Sequence, residues 1–305
     1  MLAILVMRIP KEDLSELWPT WNLAYLFWFS SALIVTAIAF LLSVIRWHHV
    51  TRGLGLDISI KRLATHYLAG QFVGNFLPTT IGGDVLRVSR VGNETSDRPA
   101  AFASVVIERL TGWVVLPVLT LGALVVNRGL LEQGPARFAL SLASIILVLL
   151  TAIVYLAEHP RIGGKVIGDS AIREALGAVH LELGTLRRRP RSAFQLLGVS
   201  IAYQAMLILA TGLAGAAIGI RPGPTAWLAF APMVFIIQML PTIGGLGVRE
   251  AALVLFLGTY GVSEVEAVKL GLMLYLLNLV VSLTGAPSFA MGPRSAPVSE
   301  HRAVM

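Results

Sequence analysis

The sequence predicts an all-α, polytopic transmembrane helix bundle with two broken or re-entrant elements, and three observations predict it. The chain is 56% hydrophobic and only 13% charged over 305 residues, with a mean hydropathy of +0.77. A soluble domain needs about 25% charged residues to face water. Long apolar runs alternate with short basic loops, as bilayer spanning requires, because a helix needs ~20 apolar residues to cross ~30 Å of hydrocarbon. Two further apolar stretches are broken by closely similar Leu-Pro-Thr and Ile-Gly-Gly segments instead of running through.

The same composition excludes several classes. A formal charge of +7 would suggest nucleic acid for a soluble chain, but in a membrane protein Lys and Arg collect in cytoplasmic loops, so no nucleic-acid partner is expected. The absence of cysteine excludes disulfides, thiolate metal sites and a Cys nucleophile. No HExxH, paired His-carboxylate spacing or P-loop occurs, and neither a metal nor another cofactor is expected. His48-His49 beside Trp47 reads as an interfacial loop, and Gly244-Gly245-Leu246-Gly247 has no βαβ context that would make it a dinucleotide loop.

Residues 1–21 read as an N-terminal stump and interfacial segment, 22–291 as one transmembrane domain and 292–305 as a polar tail. The first span is 22–45, uncharged and flanked by Trp21 and by Arg46-Trp47, which suit interfacial anchors. The stretch 46–62, with Arg46, Arg52, Lys61 and Arg62, reads as a cytoplasmic connection. Residues 63–90 are apolar but interrupted by Gln71, Asn75 and a Pro-Gly-Gly break, so they read as a broken element. Spans follow at 100–126, which carries Glu108 and Arg109, and at 138–157.

The polar segment 158–192 holds Arg187, Arg188, Arg189 and Arg191 and marks the cytoplasmic side. A fourth span, 193–219, offers Gly212, Gly215 and Gly219 for close helix packing. Residues 225–260 form the second broken element, and 266–291 the last span. With the basic loops inside, the two broken elements enter from opposite faces and the C-terminus is cytoplasmic. Full crossing by either element stays an open alternative.

The breaks repeat. Leu77-Pro78-Thr79-Thr80-Ile81-Gly82-Gly83-Asp84-Val85-Leu86-Arg87 parallels Leu240-Pro241-Thr242-Ile243-Gly244-Gly245-Leu246-Gly247-Val248-Arg249. Each follows an apolar half-segment containing an amide, Gln71 and Asn75 in one and Gln238 in the other. Interrupted helices leave backbone groups unpaired at membrane depth, which is tolerated only beside protein or a water-filled cavity. Paired breaks entering from opposite faces imply an inverted-repeat relation and a transporter-type site, with half-helix N-termini offering partial positive charge to an anion.

The charges inside apolar sequence allow two readings. Glu108 and Arg109 either lie near the interface and snorkel, or form a buried site. In the second reading Arg109 meets a lipid phosphate or Asp84, and Glu108 tunes that site. Arg87 and Arg249 are further anion ligands, held by Asp84 and Glu250. The candidate substrate-binding set is Asn75, Pro78, Gly82, Gly83, Asp84, Arg87, Glu108, Arg109, Gln238, Pro241, Gly244, Gly245, Arg249 and Glu250.

Three segments, 74–87, 104–112 (Ser-Val-Val-Ile-Glu-Arg-Leu-Thr-Gly) and 241–252 (Pro-Thr-Ile-Gly-Gly-Leu-Gly-Val-Arg-Glu-Ala-Ala), resemble hallmarks of the lysylphosphatidylglycerol synthase transmembrane-region family. The resemblance covers roughly residues 20–290. It implies a flippase-like membrane protein of the bacterial or archaeal plasma membrane. In two-domain members this region precedes a soluble aminoacyltransferase and is held to translocate the aminoacylated lipid. The tail after residue 291 is too short for such a domain, so aminoacyl transfer is not expected, and the apolar opening 1–7 reads as a shortened form of a further N-terminal span. Glu108 stands where members often have Asp, which keeps the charge.

The expected partner is a membrane lipid substrate, anionic or phosphate-bearing. A separate lipid-modifying enzyme is a second expected partner if the protein acts as a scaffold. An enzyme acting on lipid headgroups, with Glu108 or Asp84 as base, is disfavoured because no nucleophile and base stand at a recognisable spacing.

Overall fold

The computed structural model describes residues 22–77, 81–158, 177–181, 184, 188–240 and 242–290. Pro78, Pro241, the N-terminal stump, most of 158–192 and the polar tail therefore lie outside the described residues. The rest is helical: α1 (Leu23–Gly53), α2 (Ile60–Gly74), α3 (Ile81–Thr95), α4 (Arg98–Val126), α5 (Gly134–Glu158), α6 (Pro190–Ala217), α7 (Pro224–Ile237), α8 (Val248–Leu257), α9 (Glu264–Ser282) and the short α10 (Ala286–Ala290). Five of the described helical stretches, Leu23–Gly53, Arg98–Val126, Gly134–Leu156, Pro190–Ala217 and Glu264–Ala290, are long and apolar enough to cross a bilayer. The protein is an integral, multi-pass, all-α membrane bundle.

Side-chain caps set the helix starts. Asn22 accepts the Tyr25 N–H at 2.7 Å, Asp97 accepts the Ala100 N–H at 2.9 Å, and Ser263 with Glu266 forms a capping box. The first span runs eight residues past its expected end at 45. Nothing between Arg46 and Gly53 breaks a helix, so α1 continues through the stretch read as a connection. Arg46 and Trp47 are consequently not interfacial anchors: both are buried in the bundle. Arg52, Lys61 and Arg62 do stand exposed at that end.

Both broken elements are re-entrant hairpins. Helices of 15 and 15 residues, and of 14 and 10, rise about 22 Å or less at 1.5 Å per residue, short of the ~30 Å hydrocarbon core. In the first hairpin, Arg62 pairs with Glu94 at 2.6 Å near the base. Towards the tip a β-carbon on Gly83 would overlap the Gly70 carbonyl oxygen. That contact explains the Gly at 83: only a bare backbone lets α2 and α3 pack so closely. The sequence places Pro78 and Pro241 just past the ends of α2 and α7, where a missing N–H stops a helix.

The connections give the hairpins opposite directions. Trp47 donates to Ser104 Oγ at 3.0 Å, so the end of α1 lies beside the start of α4, and the first hairpin leaves and returns there. At the far end, Asn127 after α4 donates to Thr225 in the first turn of α7 at 3.0 Å, and Thr259 after α8 donates to Gln133 at 3.1 Å. The second hairpin leaves and returns at that end. Their tips meet beside the middle of α9. Tyr275 donates to the Asn75 carbonyl at 3.2 Å, and Gly271, one turn away, packs against the Glu250 carboxylate.

Core packing holds this arrangement. Helix α7 is apolar nearly all round and buries Trp227, Phe230 and Met233 against Leu253, Phe256 and Leu270. Gly212 and Gly215 of α6 accept the Trp227 ring, a β-carbon at Gly215 lying 2.8 Å from it. Gly219 has a different role from the expected packing one: at φ +86° it turns the chain after α6, and a β-carbon there would meet nothing within 4 Å. Helix α5 lies at the periphery, with Val148 and Leu149 exposed to the surrounding lipid.

Candidate functional site

The buried charges gather where α1, α3 and α4 meet. Asp84 and Arg87, three apart on α3, share a face, and Arg87 Nη1 reaches Asp84 Oδ1 at 3.2 Å. Both Arg87 Nη atoms also reach Glu108 Oε2 of α4 at 3.2 Å. Arg46 Nη2 of α1 donates to Glu108 Oε1, which also accepts from Ser43 Oγ at 3.1 Å. Arg109 Nη2 closes the network on Asp84 Oδ1 at 2.9 Å.

Aromatic faces complete the surroundings. The Arg87 guanidinium lies 4.0 Å from the Trp47 ring centroid, and that of Arg46 lies 4.6 Å from the Tyr203 centroid. Three arginines against two carboxylates leave one net positive charge. Glu108 is only 2% exposed, so it lies inside the bundle and does not snorkel.

A second charged pair starts α8. Arg249 donates to Glu250 Oε1 from Nε at 3.1 Å and from Nη2 at 2.8 Å. Glu250 Oε2 accepts the Gly247 N–H, with Gly247 at φ +87°. The N-terminus of α8 is thus occupied by the protein's own carboxylate. Asp84 likewise stands in the first turn of α3. The arginines, not these helix ends, are the cationic groups that face open space.

That space is a cavity of about 170 Å³ between the hairpin tips. Arg46, Arg109 and Arg249 line it from α1, α4 and α8, with no carboxylate among its described lining residues. Gln71, Asn75, Gln204, Gln238 and Asn278 add carboxamides, and Trp113, Tyr203 and Tyr275 add aromatic surface.

Of the residues expected from sequence, the cavity brings together Asn75, Arg109, Gln238, Gly245 and Arg249. Asp84, Arg87, Glu108 and Glu250 sit behind the lining as partners of its arginines or of one another. Gly82 and Gly83 serve close packing at the first hairpin, and Gly244 lies in the 3-10 turn of the second tip. Sequence reasoning missed Arg46, Gln204 and Asn278. A lone amide within an apolar span was the available signal for the last two. Arg46 gave none, since a basic residue beside Trp at a span's end also describes an interfacial anchor.

Paired half-membrane hairpins around a buried cationic cavity define a polytopic membrane protein of the broken-helix type. The sequence matches the family described as the lysylphosphatidylglycerol synthase TM region over residues 1–285, and the chain belongs to that family. Membership makes it a membrane protein related to lipid modification or transport. No curated protein and no solved structure gives a significant match.

Proposed function

We propose that the protein translocates an anionic, phosphate-bearing lipid across the bilayer, with the headgroup phosphate held in the cavity between the hairpin tips. One observation carries this reading: Arg46, Arg109 and Arg249 converge on one cavity that no carboxylate lines among the described residues. Each guanidinium offers a planar fork of donors that matches phosphate oxygens. In surroundings of low dielectric such groups attract an anion far more strongly than in water.

The hairpins supply the route. In this reading each hairpin bars passage from one end of the bundle, so displacing either one would open the cavity to that side alone, as alternating access requires. The end bearing Arg52, Lys61 and Arg62 is the cytoplasmic one in this reading, by the positive-inside rule, and α10 ends there too. The sequence carries no nucleotide-hydrolysis motif, so movement is downhill, ion-coupled or driven by a partner.

The test is movement of acyl-labelled phosphatidylglycerol between leaflets of proteoliposomes, read by chemical quenching of the outer leaflet. Faster movement than in protein-free vesicles is expected. Equal rates for this and every other phosphate-bearing lipid would refute the proposal.

A further inference from the structure

One stripe of α9 seats both hairpin tips. Gly271, Tyr275, Asn278 and Ser282 stand four, three and four residues apart, the spacing that keeps side chains on one face of a helix. At one end of the stripe Gly271 leaves the room that the Glu250 carboxylate of the second hairpin fills. At the other end Ser282 Oγ accepts from Asn75 Nδ2 of the first hairpin at 2.8 Å. Gly285, three residues further on, packs against the backbone of Leu68 in α2.

Tyr275 lies between these contacts and touches both tips. Its hydroxyl donates at 3.2 Å to the carbonyl of Asn75, the residue that caps the C-terminal end of α2. A carbonyl at a helix end has no partner within the helix, and at membrane depth it needs one from elsewhere in the protein or from a wet cavity. On the other side, the Arg249 guanidinium of the second tip lies over the Tyr275 ring, 5.9 Å from its centroid. That is the outer edge of the range, about 6 Å, within which a ring attracts a cation. The bond to Asn75 fixes the ring at this distance, and a ring released from Asn75 is free to approach Arg249.

We infer that the two hairpin tips compete for Tyr275, so that release of one tightens the hold on the other. When the first tip withdraws, the freed ring closes on Arg249 and holds the second tip more firmly. When the second withdraws, nothing draws the phenol away from Asn75. A coupling of this kind acts equally in both directions, and the cavity opens to one side at a time. The inference rests on the proposed reading of the hairpins as the two barriers to passage, and it assigns Tyr275 as the positioning residue that coordinates them.

The test is hydrogen exchange of the purified full chain in lipid nanodiscs, read by mass spectrometry in peptides covering residues 71–77 and 246–253, which report local opening of each tip separately. Tyr275→Phe removes the hydroxyl, bonded to the first hairpin, and keeps the ring. Exchange at 71–77 is expected to become about fivefold faster, the scale of one hydrogen bond. Exchange at 246–253 is expected to become about two- to fivefold slower, the scale of a cation–π contact. Tyr275→Leu removes hydroxyl and ring together, and both tips are expected to exchange faster. Ser282→Ala frees the Asn75 side chain and leaves Tyr275 in place, so only 71–77 is expected to quicken. Exchange at 246–253 that is unchanged or faster in Tyr275→Phe would overturn the inference. So would an unchanged second tip in Tyr275→Leu, or a slowing in Ser282→Ala equal to that in Tyr275→Phe. The readout needs no lipid movement: the expected pattern without movement in vesicles would count against translocation alone, and movement without the pattern against the coupling alone.

Discussion

Arg46 of α1 and Glu108 of α4, 62 positions apart, form an ion pair inside the bundle with side chains 4% and 2% exposed. Glu108 also holds Arg87, so one carboxylate fixes two guanidiniums and joins the first hairpin to two spanning helices. Removing it leaves the buried Arg46 without a carboxylate and Arg87 with Asp84 alone. Glu108→Ala is expected to destabilise the protein by about 3–5 kcal/mol, the cost of breaking a buried pair from one side. Denaturation in detergent measures this, and a loss below about 1 kcal/mol, the range of exposed pairs, would contradict the network.

The hairpin packing gives a second expectation. Gly83→Ala places a β-carbon on the Gly70 carbonyl, a backbone group that cannot swing aside. A loss of about 1–3 kcal/mol is expected from such overpacking. Gly122→Ala is the control: nothing lies within 4 Å of its β-carbon, and alanine favours a helix by about 1 kcal/mol over glycine. Thermal stability in detergent should fall for the first and hold or rise for the second.

The opposite entry of the hairpins is testable by labelling, because the sequence has no cysteine. Ser96 is exposed after the first hairpin and Glu264 is exposed after the second. Ser96→Cys and Glu264→Cys should react with a membrane-impermeant maleimide from opposite sides of oriented vesicles. Reaction of both from one side would refute the inverted arrangement.

Much of this architecture was legible in the sequence, for physical reasons that also explain the rest. The hairpins announced themselves because proline and paired glycines interrupt apolar runs that otherwise promise a crossing. Glu108, Arg109 and Arg249 were visible because a charge within apolar sequence has to find a partner. Arg46 was not, since only the continuation of α1 to Gly53 carries it inside. The cavity itself was hidden: Arg46, Arg109, Gln204 and Arg249 come from four helices, and no periodicity within one segment reports their convergence. The pairing of Asp84 with Arg109, by contrast, came from charge logic alone and is present at 2.9 Å.

Binding of the lipid phosphate by the arginine-lined cavity during translocation is reported most directly by Arg109→Gln. Arg109 lines the cavity, while its partner Asp84 keeps Arg87 at 3.2 Å, so this change strands no carboxylate. The measurement is the rate of phosphatidylglycerol movement in proteoliposomes, for variant and wild type of matched folded content. A loss of at least about tenfold is expected, the scale of a charge-assisted hydrogen bond. A wild-type rate in Arg109→Gln would contradict it.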